Sequence, residues 1–232
     1  MSSTFSTSDF WNQKNATRYS YQSGTMSKQL FSLLVCAWTA IGIGISAAAS
    51  QYSADWHLSG WGTLGLVVVM FAGIFIAASE NIAVRLLGYL ILTVTMGLFL
   101  GPFVALYTSA SVFKALFITT AMVVILGVIG ATIPDSLDSW YGWLMGALIM
   151  LILGLLFVPL ASWLGLPVDG ALTVLDWVGL VIFGALVIFD LNRAMRIPYT
   201  MENSIGCALN IYLDFVNIFI RILSLTGNKA SD

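Results

Sequence analysis

Two aspartates near the end of the chain are the residues best suited to do chemistry. Asp190 follows the apolar run 171–189, and Asp214 lies in the middle of a second apolar run, 205–225. A carboxylate at the centre of a membrane-length segment costs on the order of 3 kcal/mol to insert, and such residues usually mark ion or proton paths. Because the two runs are consecutive and form a hairpin, we predict that Asp190 and Asp214 form an ionisable pair that gates or carries a cation.

The chemistry of such a pair depends on protonation. Two carboxylates within hydrogen-bond reach cannot both ionise cheaply, so they tend to share one proton. In the protonated form the pair is a neutral clasp between two helices. In the deprotonated form the carboxylates repel, the helices part, and the oxygens attract a hard cation such as calcium. For Asp190 the alternative is a solvated helix end that is paired with Arg193 or Arg196.

The last apolar run carries a stripe of polar side chains. They recur at steps of three and four residues: Cys207, Asn210, Asp214, Asn217, Arg221 and Ser224. This spacing places them on one face of a helix. Lipid would leave that face without partners, so we expect the helix to be central, with its polar face along a crevice. For Asn210 and Asn217, a polar seam that only fastens the helix into the bundle is an equally open alternative.

Two further charged residues belong to this hypothesis. Asp176 lies fourteen residues before Asp190, so the two acids share nearly the same face of one helix. An acid at each end of that face is consistent with a cation path, and Asp176 would then line its outer vestibule. A residue at the membrane interface is the alternative for Asp176. Arg85 opens the third apolar run and is a candidate latch on Asp190 if the third and sixth helices pack together.

The elements that must position these residues are membrane-spanning helices. The chain has 232 residues, of which 59% are hydrophobic and 9% charged, and a soluble domain has about 25% charged residues. Seven segments approach the roughly 20 apolar residues that a span needs: 30–50, 61–79, 84–107, 112–133, 141–164, 171–191 and 205–225. The predicted fold is therefore an all-α polytopic membrane protein with seven transmembrane helices and the last helix central. Its predicted parts are a polar cytoplasmic arm (1–29), the bundle (30–227) and a short tail (228–232).

The basic residues predict which side of the membrane each loop faces. Cytoplasmic loops carry an excess of Lys and Arg. An N-terminus in the cytoplasm places six basic residues inside: Lys14, Arg18, Lys28, Arg85, Arg193 and Arg196. Lys114 and Lys229 then lie outside, as does the C-terminus, unless the last segment is re-entrant. Small residues four apart predict close helix packing at Gly42 and Ser46, Gly97 and Gly101, and Gly142 and Gly146.

Composition also excludes several classes of function. The net charge is −2 and there is no basic tract, so nucleic acid is not an expected partner. The single histidine, His57, and the two cysteines, Cys36 and Cys207, are too few for a His/Cys metal cluster within one chain. We find no nucleophile–base spacing and no phosphate loop. The chain is therefore not expected to be an enzyme or to carry a cofactor, and calcium would enter only as a permeant ion.

Three stretches resemble the transmembrane Bax inhibitor motif family, the Bax inhibitor-1-like proteins. They are GALVIFDLNRAM at 184–195, ALNIYLDFVNIFIRILSLTG at 208–227 and TMGLFLGPFVALY at 95–107. The second is similar to the family pattern A-L-x-L-Y-L-D-x-x-N-L-F-x-x-I-L. With the seven-span layout, the resemblance covers most of the chain after about residue 30. The Leu191-Asn192-Arg193 turn departs from the shorter Asp-Thr type common in the family.

The resemblance implies a seven-helix fold with a central last helix and a pH-sensitive calcium leak whose di-aspartyl sensor corresponds to Asp190 and Asp214. It also implies an arginine latch at Arg85 and, for a bacterial member, the inner (plasma) membrane. Some bacterial relatives instead bind and restrain a membrane protease. Three hypotheses follow: a pH-gated cation channel, a regulator that binds another membrane protein, and a cation/proton exchanger. The expected partners are membrane lipid, calcium or another cation and, in the second case, a membrane protein.

Overall fold

The described residues fold into a bundle of seven long helices. A computed structural model describes residues 25–57, 59–168 and 170–230. The helices are α1 Lys28–Tyr52, α2 Gly60–Ala77, α3 Ile82–Val104, α4 Ser109–Thr132, α5 Tyr141–Trp163, α6 Ala171–Ala194 and α7 Met201–Thr226, with a 3-10 turn at Asp138–Trp140 before α5. Each is long and apolar enough to cross a membrane. The predicted all-α, seven-span architecture is confirmed, with helix ends within about four residues of the expected ones.

Most helices begin where a polar side chain caps the first turn. Ser27, Ser59, Thr108 and Thr200 each accept a hydrogen bond from a backbone N–H of the following turn, and Asn81 accepts two. Such caps satisfy N–H groups that have no partner inside the helix. Helix α6 instead follows Gly170, whose φ of 76° lies in the left-handed region that favours glycine. The polar residues and the glycine in these short loops therefore mark where the helices begin.

Helix α7 is the centre of the bundle. It packs against α1, α3, α4 and α6, whereas α2 packs chiefly on α3 and α5 chiefly on α6. Its large side chains include four with no exposed surface: Ile205, Tyr212, Ile218 and Leu223. The predicted central position of the last helix is confirmed. The peripheral helices α2 and α5 stand on either side of the polar face of α7 and leave a gap over it.

Small and hydroxyl-bearing residues join α1, α3 and α7. Ser46 Oγ donates to the carbonyl of Thr93 at 2.7 Å and lies 2.6 Å from the hydroxyl of Tyr212. Gly97 lies against the backbone of Ser46, so an added Cβ would collide there. The predicted close packing is confirmed for four residues: Gly42, Ser46, Gly97 and Gly101. It is wrong for Gly142 and Gly146, which have no neighbour within 4 Å of an added Cβ because they face away from the one helix that α5 contacts closely.

The two ends of the bundle are defined by their loops. At one end, the backbone N–H of Met26 donates to the carbonyl of Tyr199 in the α6–α7 loop. We call this the basic end, because Lys28, Arg85, Arg193 and Arg196 lie there. At the opposite end, residues 228–230 pair with the α3–α4 loop through bonds such as Thr108 N–H to the carbonyl of Asn228. Residues 1–24 of the predicted arm, with Lys14 and Arg18, and the last two residues of the tail lie outside the described residues.

Candidate functional site

Two connected cavities run along the polar face of α7. The first, of about 370 Å³, lies at the basic end between α2, α3, α6 and α7. The second, of about 490 Å³, continues along α7 and is flanked by α2 and α5. Four residues line both cavities: Ile74, Asp190, Arg193 and Asn210. We call the two together the α7 crevice; its floor is polar, and its walls on α2 and α5 are apolar.

The structure brings Asp190 and Asp214 to the same crevice. Asp190 is half-buried near the basic end, where the Asn210 side chain and the Arg193 guanidinium face its carboxyl group. Asp214 is 4% exposed and is an electrostatic neighbour of Asp190. Its Oδ2 atom is buried, and no hydrogen-bond donor among the described residues bonds it. Two acids of the same sign therefore share one buried space, and the deeper one is unsatisfied.

The three arginines predicted as possible partners of Asp190 have different positions. Arg193 lines both cavities beside Asp190. Arg85 lines the basic-end cavity with Asp190, but its Nε donates to the carbonyl of Ser79 at 2.8 Å and its Nη1 to that of Glu202 at 2.6 Å. No ion pair joins Arg85 to Asp190 among the described residues, so the expected latch is not formed in this structure. Two of the five guanidinium N–H donors bond backbone carbonyls instead.

Arg196 does not face the acid pair. Its Nη2 donates to the carbonyl of Pro134 at 2.6 Å and to that of Ile133 at 3.3 Å, at the end of α4. Buried Asn192 fastens the same loop, with its Nδ2 donating to carbonyls of Gly130, Ile133 and Asp135. The prediction of Arg196 as a partner of Asp190 is corrected accordingly. Carbonyls at a helix end lack intrahelical donors, and the guanidinium supplies them.

Asp176 forms the most completely bonded charged contact of the site. Its Oδ1 accepts from Arg221 Nη1 at 3.1 Å, and its Oδ2 accepts from the Ser224 hydroxyl at 2.6 Å. The two side chains are 6% and 13% exposed for Arg221 and Asp176, respectively, and theirs is the one salt bridge among the described residues. The predicted outer vestibule therefore holds a bonded ion pair in place of a free acid.

The remaining polar stripe also faces the crevice. Asn210 lines both cavities, and Asn217 lines the larger one while its Nδ2 donates to the carbonyl of Leu213. The Asn217 amide bonds within its own helix, which favours the crevice-lining interpretation for this residue. The Asn210 side chain faces the Asp190 carboxyl group of α6, so Asn210 both lines the crevice and joins the two helices. Within the described part of the chain, no group of three or more His, Cys, Asp or Glu side chains is placed to hold a metal ion.

Residues that sequence reasoning missed surround Arg221. The guanidinium lies 5.4 Å from the centre of the Phe183 ring, and an added Cβ at Gly179 would overlap Arg221 Nε. Asp176, Gly179 and Phe183 recur at steps of three and four, so they share one face of α6. A further signal was available: Asp176 and Arg221 lie at nearly the same number of residues from the α6–α7 turn, which places them at the same depth in a hairpin.

Comparison with known proteins gives a family for the chain. The family model described as "Inhibitor of apoptosis-promoting Bax1" matches residues 25–231, which is nearly all of the chain after the arm. No curated protein matches the chain. The matched range contains all seven helices and both ends of the α7 crevice.

Proposed function

The chain belongs to the Bax inhibitor-1-like transmembrane family, and from that membership and the α7 crevice we propose that it is a pH-sensitive cation leak, selective for calcium, controlled by Asp190 and Asp214. It would act in the bacterial inner membrane, without a catalytic step. The observation that carries the proposal is the meeting of these two acids in one buried crevice, with Asp214 Oδ2 lacking a hydrogen-bond partner.

The direction of the pH response follows from the charges around the acids. Asp190 faces Arg193 on its own helix and shares the basic-end cavity with Arg85 of α3 and Cys207 of α7. Along the larger cavity, α5 contributes Tyr141, α7 contributes Arg221, and α2 contributes apolar side chains. Among the described residues no basic group is bonded to Asp214, so loss of the last proton leaves two like charges in one crevice. Higher pH therefore separates α6 and α7, and lower pH closes them.

Calcium is the cargo in this proposal and not a resident ligand. A tight calcium site takes six to eight oxygen ligands. The crevice offers two carboxylates and the amide oxygens of Asn210 and Asn217, which are too few to hold the ion tightly. A weak site of this kind lets an ion enter and leave, and conduction requires both.

The basic end is proposed to face the cytoplasm. Lys28, Arg85, Arg193 and Arg196 lie at this end, whereas Lys114 and Lys229 are placed toward the other. Basic residues in short loops favour the cytoplasmic side of a membrane. The α7 crevice would then open from the cytoplasm through the cavity that Arg85 and Arg193 line.

The test is calcium flux through purified protein in liposomes at pH 6, 7 and 8. We expect the wild-type flux to rise with pH. Asp190→Asn and Asp214→Asn should each remove this rise, because a neutral amide cannot generate the repulsion that separates the helices. Asp138→Asn is the matched control, since Asp138 is an exposed acid near the basic end that lies outside the crevice, and its profile should follow the wild type.

Two other outcomes would replace the proposal. Flux that appears only with an opposing proton gradient would indicate a cation/proton exchanger. No flux at any pH, or an unchanged profile in both aspartate variants, would exclude the leak. The absence of flux would favour the second candidate, a regulator that binds another membrane protein; the observation in its favour is the gap between α2 and α5, which leaves the polar face of α7 reachable from the lipid side.

A further inference from the structure

The α7 crevice ends at Arg221. This residue lines the larger cavity, whereas its partners Asp176 and Ser224 lie beyond the lining. Only five residues of α7 follow Arg221, so the guanidinium stands within about 8 Å of the end of the helix at 1.5 Å per residue. The side chain therefore lies between the crevice and the surface of the opposite end.

The surroundings of Arg221 hold it in one position. Asp176 fixes Nη1, Ser224 fixes the other oxygen of Asp176, and the ring of Phe183 faces the guanidinium. Gly179 has no side chain to compete for this space, and an added Cβ would overlap Nε. The guanidinium group is planar and rigid, so it loses little conformational entropy when it bonds a carboxylate. The bonded side chain therefore forms a rigid partition.

The charge of this partition is balanced, unlike that of the acid pair. Arg221 and Asp176 cancel each other, so this end of the crevice neither attracts nor stores a cation. The gap between α2 and α5 is lined by apolar side chains such as Phe71 and Ile152 and adjoins lipid, so it does not admit water. The basic-end cavity is then the remaining route for water to Asp190 and Asp214.

We propose that Arg221, held by Asp176 and Ser224, is a closed wall at the opposite end of the α7 crevice, so that the Asp190–Asp214 pair meets water from the basic end alone. In the leak proposed above, this ion pair is a second barrier that the cation must pass, distinct from the acid pair. The statement that the ion pair is a barrier to the cation rests on the proposed leak function. The statement that Arg221 closes this end of the crevice does not rest on it.

Thiol accessibility tests the wall without any flux. The parent protein for this test carries Cys36→Ala and Cys207→Ala, which remove both native thiols, and Asn217→Cys as the reporter thiol. Residue 217 lies inside the crevice, on the side of Arg221 that faces Asp214. The probe is a membrane-impermeant, cationic methanethiosulfonate added to one side of proteoliposomes. Lys28→Cys and Lys229→Cys, in separate samples, report which end of the bundle the probe reaches.

We expect the probe to label Asn217→Cys slowly from the Lys229 end in the parent. Arg221→Ala should raise that rate by at least about tenfold, because loss of the guanidinium opens a polar gap that water can fill. The double variant Asp176→Ala/Arg221→Ala should do the same, and it leaves no unpaired buried charge to impair folding. Lys114→Ala, which removes an exposed cation outside the crevice, should leave the rate unchanged.

The wall is refuted if labelling from the Lys229 end is equally slow in the parent and the double variant. It is also refuted if the reporter in the parent labels as fast as Lys229→Cys. Calcium flux in the same vesicles separates the two proposals. Faster labelling in the Arg221 variants without any calcium flux would support the wall and refute the leak. Normal pH-dependent flux with unchanged labelling in these variants would support the leak and refute the wall.

Discussion

The hairpin of α6 and α7 places charge in the membrane twice, in two different ways. At the opposite end, Asp176 is matched by Arg221 and bonded by Ser224, so that both carboxylate oxygens have donors. Toward the basic end, Asp190 and Asp214 have the same sign, and Asp214 Oδ2 has no donor. Burying a charge is costly unless it is paired. The ion pair meets most of this cost with a partner, although Arg221 Nε is itself buried without one among the described residues. Asp214 has no such partner and meets the cost by binding a proton or a cation.

This difference indicates a division of labour. A bonded ion pair whose two carboxylate oxygens both have donors is held in one geometry and suits a fixed partition. An acid pair without a bonded base changes its charge with the medium and suits a sensor. The four predictions that follow concern the free energy of unfolding, measured by denaturant titration of the purified protein in detergent, and they run from the largest expected effect to the smallest.

The largest effect is expected from breaking the ion pair. Arg221→Ala should lower the free energy of unfolding by about 3–5 kcal/mol, because it leaves the Asp176 carboxylate buried without its cation. Asp176→Ala/Arg221→Ala should lose less than the sum of the two single variants, since no uncompensated charge remains. Strictly additive losses would show that the two residues do not stabilise each other and would erase the contrast between the two sites.

A smaller loss is expected from crowding the guanidinium. Gly179→Ala places a methyl group where Arg221 Nε lies, so the side chain must move away from Asp176. The expected cost is about 1–3 kcal/mol, the usual range for overpacking. Gly146→Ala is the control, because nothing lies within 4 Å of the added Cβ, and it should be neutral or slightly stabilising. An equal loss in both variants would point to a general effect of glycine replacement.

Loss of the hydroxyl that supports the ion pair should matter less. Ser224→Ala removes one hydrogen bond to a carboxylate at an exposed position and should cost about 1 kcal/mol. Ser50→Ala, which removes a local bond from an exposed hydroxyl to the carbonyl of Ala47, should cost less. A loss in Ser224→Ala no greater than in this control would mean that Ser224 does not help to hold Asp176.

The smallest effect is expected at the acid pair. Asp214→Asn should change the free energy of unfolding by no more than about 1 kcal/mol, and in the stabilising direction at pH 8, because it removes a buried charge that no base neutralises. Asp176→Asn, in contrast, should be destabilising. A loss above about 2 kcal/mol in Asp214→Asn would reveal a bonded partner for that carboxylate and would remove the difference between the two sites.

Much of the bundle could be predicted from the sequence. Segment length and hydropathy predicted seven spans, and capping residues such as Asn81 and Thr200 mark where helices begin. The stripe on α7 also predicted its central position, since no polar face can be left in lipid. Asp190 and Asp214 stood out for the same reason, because a charge in an apolar run is conspicuous.

The neighbours of each helix could not be predicted in the same way. In lipid, the face of a span that packs against protein and the face that meets acyl chains are both apolar, so periodicity does not identify partners. Gly142 and Gly146 show the consequence, because their spacing resembles that of Gly97 and Gly101 although α5 is peripheral. An added Cβ at either residue would have no atom of another described helix within 4 Å. Arg196 shows it too, since the carbonyls it binds belong to a loop more than fifty residues away in the chain.

The sequence by itself determined that this chain is a seven-helix membrane protein with two costly acids and a polar last helix, because lipid accepts only helices with satisfied backbones and makes every buried charge conspicuous. Tertiary structure decided which charge meets which, since equal depth in a hairpin does not by itself say which helix faces meet. It matched Asp176 with Arg221 across the hairpin, placed Asp190 and Asp214 in one crevice, and gave two of Arg85's donors to backbone carbonyls. Helix register and side-chain reach set these contacts, and neither can be read from the order of residues along one helix.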